Sequence, residues 1–119
     1  MSAPDIGALF VTYNAALNAY AEATQAISRA AAEVVLAEFG PWDGNPELRR
    51  WEVGTSSVSV GLHRRDAAWV ATVDVEDDWT TARADTPTAA VRQALDALAE
   101  THPTEAAELR KAVTFKEAP

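Results

Sequence analysis

Cysteine is absent from this chain of 119 residues, and glycine and methionine are scarce. Without cysteine the chain has no disulfides, no thiolate metal sites, no iron–sulfur clusters and no thiol nucleophile. The five glycines are isolated from one another, which excludes a glycine-rich phosphate loop. No apolar run approaches the roughly 20 residues of a spanning helix, and the N-terminus lacks the basic region of a secretion signal. We therefore expect a cytoplasmic protein with no membrane contact.

Basic groups are also few. Ten Lys and Arg stand against 18 Asp and Glu, which gives a formal net charge of −8. Domains that bind nucleic acid usually present a net basic surface, so we expect no direct nucleic-acid binding. An acidic surface instead suits contact with a basic protein. The length suits one compact domain, or one small domain with an appended element.

What the sequence does contain begins with a long, alanine-rich amphipathic helix, predicted over residues 2–39. Ser2, Pro4 and Asp5 are typical of a helix start, and Gly40 followed by Pro41 predicts its end. Along this segment, apolar residues recur at the heptad spacing of a coiled coil. They form a predicted oligomer or partner seam: Ile6, Phe10, Tyr13, Leu17, Tyr20, Ile27 and Val34.

This helix is too long for the rest of the chain to cover. It would be roughly 54 Å long, whereas the roughly 75 residues that remain would form a body roughly 25–30 Å across. Either the seam contacts another chain, most simply in a homodimer, or the helix bends near Asn18 and packs on its own domain. The smaller residues Thr24 and Ala31 occupy the other two heptad positions.

The rest of the chain predicts a connector over residues 40–56 and a small α/β body over residues 57–115. Three short strands alternate apolar with polar residues, and they begin near Ser57, Trp69 and Trp79. The loops between them are short, which favours an antiparallel sheet.

Helical signals flank these strands. Asp85-Thr86-Pro87 is typical of a helix start, and in the connector Asn45-Pro46 predicts one helical turn that reaches Trp51. The expected fold class is α+β, in the order α-β-β-β-α-α. It comprises a long N-terminal helix, a three-stranded antiparallel sheet and one or two C-terminal helices.

A family resemblance lies in this body. The stretch from Trp69-Val-Ala-Thr-Val to Asp85-Thr-Pro-Thr-Ala-Ala-Val-Arg-Gln-Ala-Leu resembles the core of HicB-type antitoxins, where a D-T-P-type sequence opens a helix that backs the sheet. It is also similar to small α/β-sandwich proteins of bacteriophages. The resemblance covers residues 57–100 and implies a protein that inhibits another protein by binding it. This chain differs from the antitoxins in its acidic turn over residues 75–78 and in its long leading helix.

No spacing in the sequence predicts a catalytic or metal site. His63 and His102 are too far apart for a two-histidine metal motif. The serines at positions 56, 57 and 59 lie outside any nucleophile elbow. We therefore predict no catalytic residue, no metal ligand and no cofactor, and we do not expect an enzyme.

The densest group of carboxylates lies in one turn and comprises Asp74, Glu76, Asp77 and Asp78. Its spacing does not match the calcium loop of an EF-hand. The group is either a solvated hairpin turn or a contact for a basic partner.

Four tryptophans are many for a chain of this length. The alternating pattern places Trp69 in the core. Trp42 and Trp51 flank the connector, where they are expected to wedge the long helix against the sheet. Trp42 and Trp79 are also candidates for an aromatic hot spot, because aromatic anchors dominate the energetics of interfaces.

These observations predict a non-catalytic, acidic protein that acts by binding, as an antitoxin-like or phage-encoded accessory or inhibitor protein. It would mimic a nucleic acid if its acidic surface occupied the basic groove of a nuclease or defence protein. The alternative is a homo-oligomeric structural or virion component that assembles through the N-terminal helix.

Overall fold

The computed structural model describes residues 5–41 and 48–113, which adopt an α+β fold with a four-stranded antiparallel sheet. In chain order the elements are α1 (Ile6–Phe39), β1 (Leu48–Val53), β2 (Ser56–His63), β3 (Ala68–Val75), β4 (Asp78–Ala84), α2 (Pro87–Ala99) and α3 (Pro103–Ala112). The predicted long helix, antiparallel sheet and C-terminal helices are confirmed. The prediction of three strands is wrong, because β1 adds a fourth.

Helix α1 is one continuous element, so the bend near Asn18 that was the alternative is not formed. Asp5 caps its start, since the Asp5 carboxylate accepts a hydrogen bond from the backbone N–H of Ala8 at 3.2 Å. The helix ends at Gly40, whose φ of 82° lies in the left-handed region that glycine adopts without strain. The residues predicted at the start before Asp5 lie outside the described part of the chain.

Strand β1 lies in the segment predicted as a connector and pairs with β2 in the register Trp51↔Val58. Its alternation is hard to see in the sequence because Arg49 occupies a core-side position, opposite Val60. The helical turn predicted to reach Trp51 is therefore wrong from Leu48 onward, and its first residues lie outside the described ranges. A two-residue loop containing Gly54, at φ 60°, joins β1 to β2.

The sheet runs in the order β1-β2-β3-β4, and the described helices pack against one of its faces. Strand β3 alternates strictly, and its buried residues face α2. The largest fully buried side chains of this core are Val58, Val60, Val73, Val75, Val91, Leu95, Leu98 and Leu109. The prediction that Trp69 lies in the core is confirmed, since it is 5% exposed.

The last turns of α1 join this core. Val35 and Phe39 are buried, and the ring of Phe39 meets the ring of Trp51 edge-on, with 4.9 Å between centroids. Arg49 lies over Trp51 at 5.1 Å and donates a hydrogen bond from Nη1 to the carbonyl of Gly40 at 2.9 Å. The predicted position of Trp51 between helix and sheet is confirmed, whereas Trp42 lies outside the described residues.

A second link holds α1 to α2. The carboxylate of Glu38 accepts a hydrogen bond from the backbone N–H of Thr88, in the first turn of α2. The Thr86 side chain accepts one from Ala89 at the same helix end. Helix α2 is therefore capped both by its own residue and by a side chain of α1, because a helix N-terminus favours negative charge and hydrogen-bond acceptors.

We expect Leu98→Ala to lower the free energy of unfolding by about 2–5 kcal/mol, because it removes a fully buried side chain from the centre of the core. Leu36→Ala is the matched control, since Leu36 is 46% exposed on α1, and its cost should be below about 1 kcal/mol. Urea denaturation followed by circular dichroism measures both. Equal losses in the two variants would contradict this account of the core.

Candidate protein-binding surfaces

The predicted seam of α1 is exposed along its whole length. The exposed fraction of its residues runs from 38% for Val34 to 77% for Ile6. The buried residues of α1 are Ala31, Val35 and Phe39, all in its C-terminal third. The rest of the helix therefore projects from the body, and the described chain measures 71 × 36 × 23 Å.

The projecting part of α1 is also uncharged. From Ile6 to Ala21 no residue carries a formal charge. The two threonines of the projecting helix satisfy their hydroxyls internally, since Thr12 donates to the carbonyl of Ala8 and Thr24 to that of Tyr20. Apart from the hydroxyls of Tyr13 and Tyr20, the seam thus presents apolar and internally bonded groups, and the polar cost of removing it from water is small.

An apolar groove lies at the base of the projecting helix, where α1 passes the loop between β2 and β3. Its cavity of about 300 Å³ is bounded by Ile27, Ala30 and Val34 on α1 and by Leu62 and Trp69 on the sheet. The same cavity is also lined by Ala31 of α1 and by Arg64 and Ala67 of the loop. We call it the base groove. It continues the seam onto the body, so the seam and the groove form one apolar surface.

The second surface is the turn between β3 and β4, which we call the acidic corner: Asp74, Glu76, Asp77, Asp78 and the adjacent Trp79. Asp74 and Trp79 are directly opposite each other across the two strands. Trp79 is 75% exposed, as an aromatic contact residue must be. Glu76 adopts a φ of 57°, which tightens the turn and is uncommon outside glycine.

The four carboxylates do not converge. Asp74 lies on the face opposite the helices, in a pocket it shares with Arg50 and Ser57. Its Oδ1 atom is buried and has no hydrogen-bond partner among the described residues. Asp78 points to the helical face, where its Oδ2 lies 2.8 Å from Nε2 of His102. Trp79 pairs with Asp74 and therefore shares its face of the sheet, so Asp78, the residue before Trp79 on β4, faces the other side. The closely spaced carboxylates of the sequence therefore form two separate sites.

The two histidines lie at opposite ends of the sheet and each faces a carboxylate. The hydrogen bond with Asp78 raises the pKa of His102, and the charges of Asp78 and Glu105 act in the same direction. His63 lies 3.7 Å from Asp66, whose pKa is lowered by a hydrogen bond from Arg83. No group of three or more potential metal ligands is assembled in residues 5–41 and 48–113.

The structure therefore brings the seven predicted seam residues onto one exposed surface but divides the predicted acidic contact. Of the two predicted hot-spot tryptophans, Trp79 is exposed and Trp42 lies outside the described ranges. Sequence reasoning missed the base groove, which joins residues of α1 to residues of the sheet that are at least 28 positions away along the chain, such as Val34 and Leu62. The hydropathy of Leu62 and Val34 was the available signal, but it predicted burial and not a gap between them.

Comparisons with protein-family models, with curated proteins and with solved structures gave no significant match to this chain. No described helix is both long enough and apolar enough to span a bilayer.

We expect Asp78→Asn to lower the pKa of His102 toward its ordinary value of 6.5, because the hydrogen bond to a charged acceptor is lost. Titration of the imidazole resonances by NMR measures the shift. Asp77→Asn is the control and should leave this pKa almost unchanged, since Asp77 is not among the groups that shift it.

The same pair sets a pH dependence of stability. The folded pKa of His102 is raised, so its pairing with Asp78 stabilises the fold fully below pH 6.5 and is lost as the pH rises through the folded pKa. The stability difference between the parent chain and Asp78→Asn should therefore shrink as the pH is raised through that range. A difference that is constant with pH would contradict the assignment.

Proposed function

We propose that this chain is a non-catalytic protein-binding protein and that the exposed seam of α1 is its principal binding surface. The observation that carries the proposal is the uncharged segment from Ile6 to Ala21, whose large apolar side chains are 50–77% exposed. Large contiguous apolar patches on a folded protein mark sites of interaction. An accessory or inhibitory role, as the resemblance of residues 57–100 implies, would follow from occupying a partner's surface.

The size of the seam suits a protein partner. A stable interface buries roughly 800 Å² on each side. Phe10, Tyr13 and Tyr20 are 62–69% exposed, so each offers roughly 100–170 Å² for burial, and together they supply about half of that area. The heptad spacing matches another helix laid along α1, because such spacing places knobs of one helix into holes of the next.

The chemistry of the described polar groups supports a binding role over a catalytic one. His102 pairs with Asp78 and His63 faces Asp66, and Ser57 and Ser59 lie at least four residues along β2 from His63, which is about 13 Å and beyond hydrogen-bond reach. Ser57 accepts a hydrogen bond from Arg50 on the face away from the helices.

We expect Tyr20→Asp to abolish the complex formed through α1, because it places a charge in the middle of the seam. Its dissociation constant should rise at least about tenfold, which corresponds to about 1.4 kcal/mol. Ala15→Asp is the matched control, since it adds the same charge to the opposite side of the same uncharged segment. Sedimentation velocity measures self-association, and capture from the native host measures binding of another protein.

Circular dichroism should show both variants folded. The proposal is wrong if the parent chain forms no complex of either kind, or if Tyr20→Asp and Ala15→Asp behave alike.

The acidic corner supports a second candidate function, which is capture of a basic protein in the manner of a nucleic-acid mimic. Trp79 is exposed beside Asp74, and Glu76 and Asp77 are exposed in the adjoining turn. An aromatic face next to carboxylates attracts an arginine or lysine side chain both by charge and by cation–π contact.

The double variant Glu76→Lys, Asp77→Lys tests this candidate without disturbing Asp78, which holds His102. We expect it to lose any basic partner that the parent chain captures from its host, and the parent's binding to weaken with salt. The double variant Glu100→Lys, Glu108→Lys changes the net charge equally at two exposed positions, the C-cap of α2 and helix α3, and should retain the partner. Retention by both variants would exclude the acidic corner.

A further inference from the structure

The two halves of the seam differ in size. Its N-terminal half carries the large residues Ile6, Phe10, Tyr13, Leu17 and Tyr20. Toward the body the heptad positions are occupied by Thr24, Ile27, Ala31 and Val34, none of which is aromatic and two of which, Thr24 and Ala31, are small. A helix whose bulk is concentrated at one end packs best on a helix with the opposite gradient, because alternating large and small residues across an interface fills space without strain.

We propose that α1 binds α1 of a second copy of this chain in antiparallel orientation, an inference that rests on the seam being the binding surface. In this arrangement every layer except the central one, which pairs Leu17 with Tyr20, joins residues of one half to residues of the other. Tyr13 faces Thr24 of the second copy, and Leu17 faces its Tyr20. The outer layers place Phe10 opposite Ile27 and Ile6 over the base groove at the level of Ala31, which is itself buried against the body and lines that groove.

The base groove then has an occupant. Ile6, Leu9 and Phe10 of one copy reach the groove of the other, where Ile27, Ala30 and Val34 form its helical wall. In the row of residues beside the seam, Leu9 meets the small Ala30, which leaves room for its side chain. The cavity of about 300 Å³ is filled by side chains that are among the most exposed of the chain. Symmetry fills both grooves at once, so the dimer is closed.

A parallel dimer leaves these features unmatched. It sets Tyr13 against Tyr13 and Phe10 against Phe10 in crowded layers. At the base it sets Ala31 against Ala31, where the groove would stay largely empty. In either orientation both halves of each seam are buried, which brings the buried area to roughly 800 Å² per copy, so the area supports a second copy as the occupant and does not decide the orientation. Glu22 and Arg29 lie off the seam, so the helix–helix layers bury no charge, and Arg64 is the charged residue among those that line the base groove.

The chain has no cysteine, so engineered cysteines report the orientation without background. The two single variants Phe10→Cys and Ile27→Cys are mixed, equilibrated and then oxidised. We expect the main cross-linked product to be the mixed disulfide between them. Phe10→Cys alone should cross-link little, because the two copies of position 10 are about 25 Å apart along antiparallel helices and a disulfide needs Cα atoms within about 7 Å. Glu22→Cys, on the opposite side of the helix, is the control and should not cross-link with Phe10→Cys.

The pair Tyr13→Cys and Thr24→Cys tests the same orientation while keeping Phe10 and Ile27, and it should also give the mixed product. At a concentration of about 50 µM, the parent chain should sediment with a mass twice the 12.7 kDa of one copy. Efficient self-cross-linking of Phe10→Cys, with no mixed product from either pair, would overturn the orientation. A monomeric mass would show that a second copy is not the occupant of the groove. If the parent chain then captured another protein that Tyr20→Asp did not, the seam would still be supported as a binding surface.

Discussion

The structure depends on a mismatch between the reach of the core and the length of α1. A helix of 34 residues is about 51 Å long, and the core covers it only between Ala31 and Phe39. Each exposed Å² of apolar surface costs about 25 cal/mol relative to burial, so the projecting seam is a standing driving force for association. The sheet and the two C-terminal helices bury their apolar faces against each other, so association is not needed to cover them.

The contacts between the C-terminal end of α1 and the body, which we call the joint, fix the position of the exposed seam. Three different kinds of contact fix the helix. The ring of Phe39 packs against that of Trp51, Arg49 donates a hydrogen bond to the carbonyl of Gly40, and Glu38 accepts one at the start of α2. Because the joint holds the direction of α1, the base groove and the seam keep their relative positions before any partner arrives. Such preorganisation lowers the entropy lost on binding.

Much of this architecture could be predicted from local patterns. Heptad spacing and the Gly40-Pro41 stop predicted α1, and strict alternation predicted β3. The pattern failed at β1 because Arg49 fills a core-side position with its stem and its stacking on Phe39 and Trp51, which hydropathy does not score. The pattern also predicted a single acidic contact at the turn. The close spacing of carboxylates along the chain does not show that Asp74 and Asp78 face opposite sides of the sheet.

The two candidate surfaces lie at opposite ends of β3, which runs from the base groove at Ala68 and Trp69 to the acidic corner at Val75. Eight residues of strand place them about 23 Å apart, so a helix in the groove does not obstruct the corner. In the proposed antiparallel dimer each body sits at one end of the paired helices, and the two acidic corners are held far apart on a rigid rod. A basic partner with two matching sites would then gain from their effective concentration, whereas a partner with one site would not. Dimerisation through α1 would in this way select which basic proteins the corners retain, although the two surfaces share no residue.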